Sequence, residues 1–140
     1  MPVSRRVFVD ANVPMYAGGA ASPQKSACLG FMRKVAEGRI GGTSSSEILQ
    51  EILHRYRHLK RLELARQVFD GFRAVIPTMF AVEAEDLDEA RRLMNAYPRA
   101  NTRDLVHLAV MIRRSIRTIV SYDSDFDAFK EVTRLTPDQL

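Results

Sequence analysis

Four places along this chain set a carboxylate against an apolar run. Asp10 follows Val7-Phe8-Val9. Glu51 lies on the flank of an amphipathic stretch, with Glu47 one turn earlier. Asp104 falls in the first turn of a helical pattern, and Asp123 and Asp125 follow Thr118-Ile119-Val120-Ser121. Acids that converge repel one another unless a cation neutralises them. Oxygen-only donors suit a hard ion, Mg2+ or Mn2+, and such a site orients and activates water for attack on a phosphate. Taken singly, each acid has a plainer explanation. Asp104 favours a helix N-terminus, Glu47 and Glu51 fit a solvated flank, and Asp123, Asp125 and Asp127 fit loop acids or caps. Spacing alone leaves open whether they meet.

Other chemistry-bearing residues lead elsewhere. His54 and His58 have the i, i+4 spacing of a zinc helix, but the glutamate that follows the first histidine of a zincin is replaced by Arg55. Both read as part of a solvated, basic helix end. His107, one turn after Asp104, reads as a core histidine or an acid's partner, with the core reading preferred. Cys28 has no motif around it, and no glycine-rich phosphate loop is present. Two basic clusters, Arg55-Arg57-His58-Lys60-Arg61 and Arg113-Arg114-Arg117, could each hold an RNA backbone or simply face solvent.

The elements that must position these groups alternate. Val7–Val9 reads as a strand buried on both faces. A short helix from Asn12 ends at Gly18-Gly19. Ser22-Pro23 starts a second helix that runs to Gly38. Ile40–Thr43 reads as a short strand, and Ser44-Ser45-Ser46 as the cap of a helix whose stripe is Ile48, Leu49, Ile52, Leu53 and Tyr56. Leu62–Phe72 is amphipathic. Val75–Pro77 and Met79–Val82 are candidate strand pieces. Helices follow over Asp86–Tyr97 and Arg103–Ser115, the latter capped by Thr102. Thr118–Ser121 is a strand, Tyr122–Phe129 an acid-rich turn or short helix, and Val132–Leu135 a last strand. Such alternation implies an α/β fold with a parallel sheet covered on both faces.

With 140 residues, 46% apolar and 27% charged, the totals suit one globular domain over residues 1–140. No stretch approaches the roughly 20 apolar residues of a membrane span. The start of the chain lacks the pattern of a signal peptide, and one cysteine fits a reducing, cytoplasmic setting. Net charge is +4, and the cations are mostly arginine, whose planar fork suits phosphate. A nucleic-acid partner and an arginine-rich coding bias explain that excess equally well.

Taken together, the acid-bearing segments resemble a known family. Val7-Phe8-Val9-Asp10-Ala11-Asn12-Val13 resembles the opening motif of PIN-domain nucleases. Ile48-Leu49-Gln50-Glu51-Ile52-Leu53 is similar to their second motif, Arg103-Asp104-Leu105-Val106-His107-Leu108-Ala109 to the third, and Ile119-Val120-Ser121-Tyr122-Asp123-Ser124-Asp125-Phe126 to the fourth. The order is the family's and the motifs span nearly the whole chain. The resemblance is nearest to small VapC-type toxins. It implies a three-layer α/β/α sandwich with a mostly parallel sheet and an endoribonuclease dependent on Mg2+ or Mn2+, leaving 5′-phosphate and 3′-hydroxyl ends. It implies an acidic cluster of Asp10, Glu51, Asp104 and Asp123. Asn12, Ser121 and Asp125 would support it, with Ser121 where the family has Thr or Ser. The flanking apolar residues favour Glu51 over Glu47. A homodimer and a cognate antitoxin are further implications. The alternatives are a PIN-like module that binds RNA or protein without cutting, and a structure-specific DNA nuclease, for whose helical insertions the chain has little room.

Overall fold

A computed structural model describes residues 5–140; the part of the signal-peptide reading that rests on residues 1–4 lies outside them. Five strands form one sheet in the order β3-β2-β1-β4-β5: β1 Arg6–Val9, β2 Gly41–Ser45, β3 Thr78–Phe80, β4 Thr118–Val120 and β5 Thr133–Leu135. Every pairing is parallel. The sheet is therefore wholly parallel, where a mostly parallel one was expected. Six helices connect and cover it: α1 Asn12–Ala17, α2 Pro23–Ala36, α3 Ser46–His58, α4 Leu62–Val75, α5 Ala84–Ala96 and α6 Thr102–Arg113.

Burial on both faces follows from the alternation of β1. Val7 pairs with Gly42 of β2, and a Cβ at Gly42 would lie 2.7 Å from Val35 of α2. Glycine there lets α2 close on that face. Phe8 points the other way, its ring centroid 5.8 Å from that of His107 on α6. Val7, Phe8 and Val9 are all fully buried, as a central parallel strand requires. Side chains add cross-links, since Thr43 Oγ1 donates to the Val7 carbonyl at 2.8 Å and Ser44 Oγ to the Val9 carbonyl at 2.9 Å.

Three element ends depart from the sequence reading. Ser44 and Ser45 belong to β2, so the serine run does not cap α3 through its side chains. Ser45 occupies the N-cap position without a side-chain bond, its buried Oγ has no partner among the described residues, and Ser46 Oγ instead accepts from the Val82 amide at 3.0 Å. Helix α6 is capped one residue earlier than expected. Asn101 Oδ1 accepts from the Asp104 amide at 2.8 Å, and Asn101 Nδ2 donates back to Asp104 Oδ2 at 2.9 Å. Val75 is the last residue of α4 and no strand residue, because the amphipathic pattern carries past Phe72 until Ile76 turns extended.

A pair of helices rests on a buried charge that the sequence does not announce. Asp86, in the first turn of α5, has no exposed surface. Arg113 and Arg114, at the end of α6, each donate to its Oδ1 at 2.7 Å, and the Glu83 amide donates to Oδ2 at 2.8 Å. Burial pushes this carboxyl up, but Arg114, the Glu83 amide and Arg113 outweigh it and hold it down at about 2. The Arg114 guanidinium also sits 4.8 Å from the Phe80 ring centroid. Two of the three arginines of the second basic cluster are thus committed to clamping α5 on α6 and are not a free surface for a nucleic acid. Among the described residues no helix is long and apolar enough to cross a membrane.

Candidate active site

The strand order reverses direction at β1. The chain builds outward through β2 and β3, then returns to place β4 on the other side of β1. In an open parallel sheet the crevice at such a switch point, beyond the strand carboxyl ends, is where ligands bind. Val9 and Val120 are register partners there. Asp10 and Ser121 are the next residues on their two strands.

Hydrogen bonds knit these ends together. Ser121 Oγ donates to Asp10 Oδ2 at 2.6 Å, and the Ala11 amide donates to Asp10 Oδ1 at 2.8 Å. Asn12 Nδ2 reaches both Asp10 Oδ2 at 3.3 Å and Ser121 Oγ at 3.1 Å, while its Oδ1 accepts from the Tyr122 amide at 3.2 Å. The Asp123 amide donates to Ser121 Oγ at 2.9 Å. Asp123 in turn accepts from the Asp125 amide at 3.0 Å, starting the 3-10 segment Ser124–Ala128. Asn12 and Ser121 therefore both fix the orientation of Asp10, and Ser121 also ties in Asp123.

Two helices complete the cluster. The reciprocal Asn101 cap sets Asp104 at the entrance of α6, 7% exposed. From α3, Glu51 reaches across to α6, where His107 Nε2 lies 2.6 Å from its Oε1, with Arg103 Nε 3.6 Å from the same oxygen. His107 is both core and partner, 1% exposed and bonded to an acid. Candidate donor atoms fall in two groups, Asp10-Glu51-His107 and Asp104-Asp123-Asp125, each with its atoms within 4.8 Å of one another.

Electrostatics tie the groups together. Burial raises the Asp104 carboxyl to about 6, with the charges of Asp123 and Asp10 adding, and the charge of His107 and the hydrogen bond from Asn101 opposing. Burial likewise raises Asp10, and Glu51 adds to it, against the lowering by His107, Ser121 and the Ala11 amide. Burial alone would lower the His107 imidazole, but Glu51, then Asp10 and Asp104, more than reverse that and leave it raised. Carboxylates held this close and dry favour protons or a cation. The donor set fits a hard divalent ion, since it is almost entirely carboxylate oxygen.

A cavity of about 1140 Å3 opens over the cluster, lined by Asp10, Glu51, Asp104 and Asp123. Glu47 is not among its lining residues. Arg55 and Arg103, with His54 and His58, also line it, so the first basic cluster in part faces the acids and is not merely a solvated helix end. Asp125 lies outside this cavity, at its neighbour's edge. Sequence reasoning missed Asn101 and Arg103. Asn101 was legible, since an Asn followed three residues later by an acid is the pattern of a reciprocal N-terminal cap. Arg103 carried no such signal.

The PIN domain family model matches residues 7–132. This chain belongs to the PIN-domain family. Relatives of this PIN domain include ribonuclease VapC13 of Mycobacterium tuberculosis, 33% identical over 129 residues that cover 92% of this chain and 98% of that one. Ribonuclease VapC23 of the same species is 33% identical over 117 residues, 84% of this chain and 92% of that one. Among solved structures, VapBC2 from Rickettsia felis, bound to a DNA fragment from its promoter, superposes with a TM-score of 0.75 at 15% identity, covering 94% of this chain and 98% of that one. M. tuberculosis VapC20, described as a toxin that cleaves the sarcin-ricin loop, gives a TM-score of 0.70 at 20% identity, covering 90% and 98%. Those two likenesses establish the fold.

Proposed function

We propose that this PIN domain is an endoribonuclease dependent on Mg2+ or Mn2+, and the toxin of a toxin–antitoxin pair. One observation carries the reading. Asp10, Glu51, Asp104 and Asp123 come from four separate elements to one cavity that also presents Arg55 and Arg103. The relatives named as VapC ribonucleases support the same activity.

Asp104 and Asp123, with Asp10 and Glu51, are the residues that would hold the ion, with Asp125 at the edge of the set. When bound, the ion lowers the pKa of an attacking water and offsets charge on the phosphate. The chain's own work is positioning. Ser121 and Asn12 hold Asp10 in one orientation. Asn101 holds Asp104, while His107 and Arg103 hold Glu51. Arg55 and Arg103 draw the RNA backbone to the acids, which would otherwise repel it. Products would carry 5′-phosphate and 3′-hydroxyl ends. A homodimer and a cytoplasmic setting complete the proposal, with an antitoxin that blocks the cavity.

The test is incubation of the purified protein with mixed RNA in Mg2+ or Mn2+, with and without EDTA. Cleavage that stops with EDTA and leaves 5′-phosphates is expected. Intact RNA in the presence of bound Mn2+ would favour the non-cutting module.

A further inference from the structure

Beside the acid cavity lies a second hollow of about 670 Å3, inside the roughly 300–1,000 Å3 range of ordinary ligand pockets. It forms between the α5–α6 connection and the 3-10 segment Ser124–Ala128. Its character differs from its neighbour's. Tyr97 and Phe129 meet edge to face, ring centroids 4.8 Å apart and planes at 74°, with Ala96, Ala100 and Ala128 as small walls. Tyr97 is locked in place, because its hydroxyl donates to Glu131 Oε1 at 2.6 Å and accepts from the Lys130 amide at 3.1 Å. Phe129 is itself buried, 3% exposed, so it backs the half-buried Tyr97 ring, and that ring is the hollow's aromatic surface, with little side-chain entropy left to lose on binding.

The two cavities share Asn101 and Asp104. A polynucleotide with one phosphate at the acid cluster therefore places an adjoining nucleotide at this hollow. Asp104 and Asp125 on its rim oppose a phosphate there, so the uncharged part of that nucleotide is what fits. An aromatic surface between small walls suits a flat, stackable ring, and Arg99 at the edge can meet the next phosphate. We propose that this hollow is a nucleobase subsite that receives the base of one nucleotide adjoining the scissile phosphate and so sets sequence preference. The proposal rests on the ribonuclease reading above and names where that enzyme reads its substrate.

Ala96 and Ala128 are both exposed and touch none of the acids by hydrogen bond, so Ala96→Leu and Ala128→Leu fill the hollow from its walls without entering the core. Each variant and the parent protein would be given a random-sequence oligoribonucleotide pool with Mn2+, the cut ends sequenced, and Mn2+ affinity measured by calorimetry. The parent should show a base preference at one position next to the cut. Both variants should flatten that preference and lose about tenfold in cleavage, the order of one stacked base, with Mn2+ affinity and melting temperature unchanged. Parent cleavage with no base preference beside the cut, or variants that keep the parent's preference and rate, would overturn the subsite while leaving the ribonuclease reading intact. No cutting of the pool by the parent protein, despite Mn2+ binding, would refute both the activity and the subsite.

Discussion

Asp104 carries the sharpest conflict between stability and activity in this chain. Its carboxyl is buried and pressed by Asp123 and Asp10, which leaves it at about 6 without an ion. Asp104→Asn removes that repulsion while keeping a group that Asn101 can bond. At pH 7.5 the metal-free variant should be more stable than the parent by about 2 kcal/mol in urea unfolding, and should have lost cleavage and most Mn2+ affinity. A variant that is folded and fully active would remove Asp104 from the proposed site. His107 makes a second argument at this scale. Its ring packs between Phe8 and Phe126, at centroid distances of 5.8 and 6.4 Å, and its Nε2 holds Glu51. His107→Phe keeps the packing and removes the bond. Mn2+ affinity should fall about 10- to 100-fold, as for other partners that orient metal-binding side chains. His107→Gln, which can donate to Glu51, should recover part of it. Equal Mn2+ affinity in all three proteins would make the histidine purely a core residue.

Between elements, the α5–α6 contact is held by a buried carboxylate and two arginines. Asp86→Ala removes the partner that Arg113 and Arg114 share, although Arg114 keeps Glu83 and the Ala81 and Val110 carbonyls, and should cost about 3 kcal/mol, the low end for breaking a buried ion pair from one side. Asp86 does not line the acid cavity, so Mn2+ affinity of the folded variant should be unaffected. Calorimetric titration below the melting temperature checks this. A large change in affinity would mean that α6 itself shifts when α5 loosens. Much at this scale was readable beforehand. The Val7–Val9 run, the Ser22-Pro23 helix start and most of the stripe of α3 follow from local rules, and the structure has them: Ile48, Ile52 and Tyr56 are buried and Leu49 packs against them, but Leu53, expected in the stripe, turns out to solvent. The Asp86 clamp was not readable, because its partners lie 27 and 28 residues further on, and a first-turn acid looks the same whether it faces solvent or the core. Arg113 and Arg114 looked like a free basic cluster for the same reason.

For the whole molecule, the shifted groups combine into one pH profile. Folding raises Asp104 from 3.8 to about 6, so between those values the folded chain holds more protons than the unfolded one, and stability falls as pH rises through that window. His107 is raised above its ordinary 6.5, so its contribution is present below 6.5 and is lost as pH rises through the folded value. The two slopes have the same sign. Asp86 works in the opposite sense, stabilising above 3.8 and losing its effect as pH falls toward about 2. The metal-free protein should therefore be most stable near pH 4, and its melting temperature should drop by several degrees from pH 4 to 8. Saturating Mn2+ should flatten or reverse that slope, since the ion and the protons compete for the same oxygens. Calorimetric scans with and without the ion test this. A metal-free profile that rises toward pH 8 would show that the acids do not share one environment.

The sequence by itself determined the alternation of elements and the places where acids follow apolar runs, because both depend on periods of two and 3.6 residues and on neighbours a few positions away. It also held the four motifs by which the chain resembles its family. The resemblance already favoured Glu51 over Glu47 and placed Asn12 and Ser121 beside the acids, but which face each helix covers, that His107 holds Glu51, and that Arg113 and Arg114 hold Asp86 were decided only when the chain closed. The physical reason is distance along the chain. Asp10 meets Ser121 across 111 positions and Glu51 meets His107 across 56, and no local periodicity encodes which buried group becomes whose partner.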